Sequence, residues 1–162
     1  EKSIKNALNM EAPKMPASIV QEEEKNTVRS VQRIYNPSKK DAQWVANFYP
    51  IWLSKQFAQI IKSKFDSEYL SFEFLGIKFL ELRLIKNRSA LDRQLFYITG
   101  GLLTKRTELG WLEFRSLFDN EFIVVAIHEY VPRLPWYLYR YTQAKIHLYV
   151  MKLFENALAE KI

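Results

Sequence analysis

Between Glu68 and Val131 apolar and polar residues alternate in short runs separated by turn residues. From Pro132 onward the period changes to that of one long amphipathic helix. This order constrains the fold more than any other feature of the chain. An antiparallel sheet with a single apolar face needs a cover, and the only large cover downstream is that helix. The expected class is α+β, with a curved antiparallel sheet wrapped around a long C-terminal helix. Such a pairing often leaves a hollow between its layers, so the sequence suggests a container.

The strands read clearly. Tyr69 to Leu75 sets Leu70, Phe72 and Phe74 against Tyr69, Ser71 and Glu73, and Gly76 supplies the turn. Lys78 to Ile85 sets Leu80, Leu82 and Leu84 against Phe79, Glu81 and Arg83. Arg93 to Leu103 has Phe96 and Ile98 on one parity, with Leu95, Tyr97 and Thr99 on the other. Gly100-Gly101 inside it signals a bulge or a close backbone approach. Trp111 to Phe118 repeats the pattern with Leu112 and Phe114, and Asp119-Asn120 suits a two-residue hairpin turn. Phe122 to Val131 is apolar on both faces until His128-Glu129, as in a central strand. The last helix starts near Leu134 or Pro135, with Tyr139, Ile146, Val150, Leu153 and Ala157 on its buried stripe, which Trp136, Tyr149, Phe154 and Leu158 widen.

Upstream, residues 1–26 read as a flexible arm or linker ahead of a domain spanning 27–162, because Pro13 and Pro16 interrupt any helix and Gln21 to Lys25 is wholly polar. Thr27 to Tyr35 alternates as a first strand. Ser38 is placed to cap a helix running through Trp44, Val45 and Phe48, and Pro50 restarts the chain into a second helix from Ile51 to Lys64. Two short helices are thus expected after the first strand.

Composition excludes several classes. With 48% apolar and 15% aromatic residues the chain is globular rather than disordered. The longest apolar run, Phe122 to Ile127, is far short of the roughly 18 residues a membrane span needs. Without cysteine there are no disulfides, thiol chemistry or Cys-based metal sites. No secretory signal is visible, but the chain opens at Glu1 rather than Met, so a soluble cytoplasmic or exported protein with a leader ahead of it are both open. The net charge of +6 sits on the helical parts: residues 31–66 carry six basic against two acidic groups and 132–162 five against two. That surface is either an ordinary solvated exterior or a face for an anionic membrane or a protein partner.

Strand, two short helices, a strand meander and a long C-terminal helix is the element order of the helix-grip fold. With the strand-Asn-Pro-Ser-helix passage at Val31 to Trp44 and the strand-Pro-x-x-Pro-helix passage at Tyr130 to Trp136, the chain resembles the START-like (SRPBCC) superfamily of Bet v 1-type allergens, lipid-transfer domains and polyketide cyclases. The resemblance covers roughly Thr27 to Leu158. Five strands follow the helices in this reading, one fewer than the family's usual six, with Gly100-Gly101 a place where one could be split. The resemblance implies a cavity between sheet and last helix for a lipid, sterol, polyketide or other apolar molecule. It leaves activity open, since the family holds enzymes and binding proteins alike.

Candidate cavity residues are Phe72, Phe74, Leu82, Phe96, Ile98, Phe114, Tyr139 and Ile146. Polar groups on the opposite parity, Arg83, Glu113, Arg115 and His128, either form a solvated ladder of cross-strand ion pairs or enter the cavity as anchors, where an arginine would suit a carboxylate or phosphate. His128 and His147 are the only histidines, and either could project into a cavity. No metal pair, phosphate loop or catalytic dyad is present, so no cofactor is expected and catalysis is disfavoured. A cyclase or hydrolase would need His128, Glu113, Arg115 or Tyr97 to converge. The aromatic-basic run from Trp136 to Tyr141 could meet a membrane surface. Nucleic acid is disfavoured, since the sheet lacks the basic-aromatic pattern of an RNA-binding strand. The leading expectation is non-catalytic binding of a hydrophobic or lipid-like small molecule, with a protein- or membrane-interaction module as the alternative.

Overall fold

The computed structural model describes residues 18–22, 28–58, 60–104, 110–133 and 143–161. Strands β1 (Ser18–Glu22) and β2 (Val28–Tyr35) precede helix α1 (Ala42–Gln56). Strands β3 (Ile61–Asp66), β4 (Tyr69–Phe74), β5 (Ile77–Leu84), β6 (Arg93–Gly100), β7 (Trp111–Leu117) and β8 (Phe122–Tyr130) follow, and then helix α2 (Gln143–Ala159). The architecture is α+β, as expected. One sheet holds all eight strands in the order β1-β2-β8-β7-β6-β5-β4-β3, antiparallel throughout. The meander β3 to β8 is therefore closed on one side by β2, whose Ile34 pairs with Ile123.

Several expectations are corrected. One helix, not two, lies between β2 and β3 among the described residues, and six strands follow it rather than five. Pro50 does not restart the chain. It sits buried inside α1, where it removes the amide that would pair with the Ala46 carbonyl without ending the helix. The stretch read as the second half of a helix is β3, whose residues from Ile61 to Lys64 alternate between half-buried and exposed. Ser63 ties β3 to α1: its hydroxyl donates to the Pro50 carbonyl at 2.8 Å, and its amide donates to Ser54 Oγ at 3.1 Å. The cap of α1 is Asp41, which accepts from the Trp44 amide at 2.8 Å, while Ser38 turns back to Asn36 Oδ1. Ser18–Glu22, read as part of an arm, pairs with β2. The β7–β8 turn is a four-residue loop, with Leu117 opposite Phe122 and with Phe118, Asp119 and Asn120 all at positive φ.

The helices cover one face of the sheet. Phe154 of α2 is fully buried against Tyr49 and Trp52 of α1, at ring separations of 5.0 and 5.1 Å, and Tyr49 reaches Phe72 and Phe114 on the sheet. The buried stripe of α2 is Val150, Met151, Phe154 and Leu158, with Leu153 and Ala157 partly buried beside it; of the expected stripe, Ile146 and Tyr149 depart, both more than 60% exposed. The proposed start of this helix near Leu134 lies outside the described residues.

Bulges interrupt three of the strand pairs. One places Thr99 as an extra residue of β6 between Gly100 opposite Glu81 and Ile98 opposite Leu82. Just beyond it, Gly101 has φ +110°, and a Cβ there would lie 2.4 Å from the Phe79 carbonyl oxygen. Both readings of the glycine pair, bulge and close approach, hold. Gly101→Ala is expected to cost at least about 2 kcal/mol through backbone strain and collision, whereas Gly100→Ala, whose Cβ meets nothing nearer than 3.7 Å, stays near neutral. Chemical denaturation of the two variants side by side checks this.

Candidate functional site

A cavity of about 210 Å³ lies between the helix-covered face of the sheet and the N-terminal half of α2. Every strand from β3 to β8 contributes to its wall, through Ile61, Phe72, Leu82, Ile98, Phe114 and Val125 among others, and α1 adds Tyr49 and Leu53. The wall is overwhelmingly apolar. Strand parity explains most of it, and a bulge explains the exception: β4 and β5 slip register between Phe72 and Glu73, which lets consecutive residues Phe79 and Leu80 both line the space.

Of the cavity residues named from sequence, Phe72, Leu82, Ile98, Phe114 and Ile146 line the space. Phe96 is buried in the adjoining core without reaching it, and Phe74 is exposed at the β4–β5 turn. Tyr139 lies outside the described residues, as does the rest of the aromatic-basic run up to Tyr141.

The four polar anchors are placed on the opposite face. Glu113 is gripped by two arginines, with Arg93 donating through Nε and a terminal nitrogen at 3.2 Å each and Arg115 Nε at 2.7 Å. Arg83 pairs with Glu68 at 3.3 Å and lies over the Tyr69 ring. His128 packs edge-on to Trp111, which in turn stacks on Tyr97. Burial lowers the His128 pKa from its usual value. The alternation of charge along β5 and β7 thus reflects a ladder of ion pairs, and His128, Glu113, Arg115 and Tyr97 do not converge in the cavity. A separate polar recess is bordered by Arg88, Arg93 and Arg115, but two of these guanidiniums are engaged with Glu113. Among the described residues no group of acidic residues and histidines could hold a metal ion, and no helix is long and apolar enough to cross a membrane.

Among the described residues, the polar groups that line the cavity are Tyr49, Tyr130, Gln143 and His147. Tyr130 donates its hydroxyl hydrogen to the Leu103 carbonyl at 2.6 Å and accepts from Gln143 Nε2 at 2.7 Å. The remaining Gln143 oxygen is buried without a partner. On β2, Ser30 Oγ and Gln32 Nε2 are likewise buried and unpaired, opposite the cavity residues Ile127 and Val125. Burial raises the pKa of Tyr49, so its phenol stays a donor, and pushes the His147 imidazole down to about 4, so it is neutral at ordinary pH. Sequence reading overlooked Tyr49, Tyr130 and Gln143. The available signal was that Gln143 and His147 continue the spacing of Val150, Phe154 and Leu158 toward the start of the helix.

No family model matches the chain. The chain is similar to auxiliary protein GraX of Staphylococcus aureus (strain NCTC 8325 / PS 47), at 24% identity over 131 residues covering 79% of this chain and 42% of GraX. It therefore spans less than half the length of that relative.

The histidine makes a pH prediction. Its folded pKa is below the unfolded value, so between the two the unfolded chain binds the extra proton and stability falls as pH falls. From about pH 7 to about pH 5 this single group should cost about 2 kcal/mol. Urea denaturation at both pH values, repeated on His147→Phe, should show the loss reduced by that amount in the variant.

Proposed function

We propose that this chain is a helix-grip, START-like binding domain that holds a small apolar molecule in the cavity beneath α2 without transforming it. The cavity carries the reading. It is bounded by both helices and six strands, and among the described residues its lining holds no Asp, Glu, Lys or Arg. The topology supports the helix-grip assignment: β2 pairs with the last strand, six strands follow α1, and the C-terminal helix lies over the same face as α1. The bulges in β5, β6 and β8 supply the bends a wrapped sheet needs. The size argues for a modest ligand. An engineered apolar cavity of about 150 Å³ accepts benzene, so about 210 Å³ suits one substituted ring or a short acyl chain rather than a sterol.

A second reading, docking to a protein or membrane, is favoured by the exposed side chains of Ile146, Leu148 and Tyr149 along α2. Co-sedimentation with anionic vesicles would support it.

Native mass spectrometry of freshly purified protein, followed by solvent extraction, should recover a small apolar compound. Leu112→Trp, which fills the cavity from β7, should keep the fold and reduce the bound fraction at least about tenfold, since the displaced apolar contacts are worth more than about 1.4 kcal/mol. An unliganded wild-type protein that also fails to take up added aromatic compounds would overturn the reading.

A further inference from the structure

The polar end of the cavity has an orientation that its apolar wall lacks. Tyr130 has one hydroxyl hydrogen, and it goes to the Leu103 carbonyl at 2.6 Å. The only role left for Tyr130 toward Gln143 is acceptor, so Gln143 must present its nitrogen there, as it does at 2.7 Å. The amide oxygen is thereby turned away from Tyr130, buried and without a partner. An unpaired buried acceptor is costly, and a ligand donor that meets it recovers that cost. One helical turn on, His147 lines the same space and, being neutral, offers one N–H and one lone pair. Among the described residues neither Lys nor Arg lines the cavity, so a carboxylate entering here would be stripped of water with no cation among them to meet it. This differs from the expectation that an arginine would receive an anionic headgroup.

We propose that the cavity selects a neutral small molecule carrying a hydroxyl or N–H donor, such as a phenol or alcohol, over its purely apolar analogue and over a carboxylate of the same size, and that the Gln143 amide oxygen reads the donor. The inference rests on the cavity-binding reading above and sharpens its ligand class.

The test uses three para-methylated rings, p-xylene and p-cresol of matched size and the slightly larger p-toluate, titrated calorimetrically into the whole chain at neutral pH. p-Cresol should bind about tenfold tighter than p-xylene, as expected for satisfying a buried acceptor, and p-toluate should bind weakest. Gln143→Leu, similar in volume, should bring p-cresol to the level of p-xylene while leaving p-xylene within about twofold of its wild-type affinity. The wild-type series tests the selectivity even if the variant misfolds. Binding of p-xylene with no preference for p-cresol, or with p-toluate tightest, overturns the donor selectivity and leaves the cavity reading standing. A p-cresol preference that survives Gln143→Leu in folded protein overturns the assignment to Gln143. If none of the three binds, both the selectivity and the cavity reading fall.

Discussion

Phe154 is the point at which the two helices and the sheet become one body. Its ring is fully buried and meets Phe48, Tyr49 and Trp52 of α1, and Tyr49 passes the contact on to Phe72 of β4 and Phe114 of β7. Each such aromatic pair adds about 0.5–1.5 kcal/mol beyond the area it buries. The clamp holds the C-terminal half of α2, where Leu158 is also fully buried. Among the described residues no aromatic cluster of that kind holds the other half. From Gln143 to Tyr149 the helix presents only partly buried or exposed residues, and the space left beneath it is the cavity. Docking at one end and standing off at the other follow from where the aromatic residues are.

The sheet was legible because period-two patterning survives wherever one face is covered. β4, β5, β6 and β7 sit where alternation puts them. The errors came where a local rule was outvoted. Pro50 looks like a helix start, yet one missing hydrogen bond is tolerable in a segment that buries Trp52 and Leu53 just after it. No glycine marks the end of α1; Ala58 takes the left-handed conformation instead, at φ 49°. With that stop signal absent, Ile60 and Ile61 continue the spacing of a helical stripe, although Lys62 and Lys64 alternate with Ile61 and Ser63 as a strand would.

The site was legible in its walls and not in its polar end. Phenylalanine and leucine parity pointed to most of the wall, but Phe79 faces inward only because of a bulge that sequence does not mark. The polar ladder on β5 and β7 was readable as cross-strand pairing, and Glu113 lying between Arg93 and Arg115 is that pairing. Gln143 was overlooked although its spacing from Val150, Phe154 and Leu158 puts it on the buried side, since a lone glutamine on an amphipathic helix looks like surface. Its meaning depends on Tyr130 and Leu103, brought beside it by the antiparallel bridge between Thr104 and Pro132.

The pairing of β2 with β8 also dictates an order of events. β2 is made early, but its long partner is the last strand of the sheet, with Ile34 opposite Ile123. Until β8 exists, β2 has only the short β1 beside it, and α1 has no completed floor to lie on. Closing so distant a pair carries a large loop-entropy cost before any native contact repays it, and topologies of this kind fold slowly. A nascent chain halted before Phe122 would expose the apolar face of an unfinished meander, with β7 as its raw edge. For this protein the hazardous interval is therefore late synthesis, when most of the sheet has been made and none of it can yet be sealed.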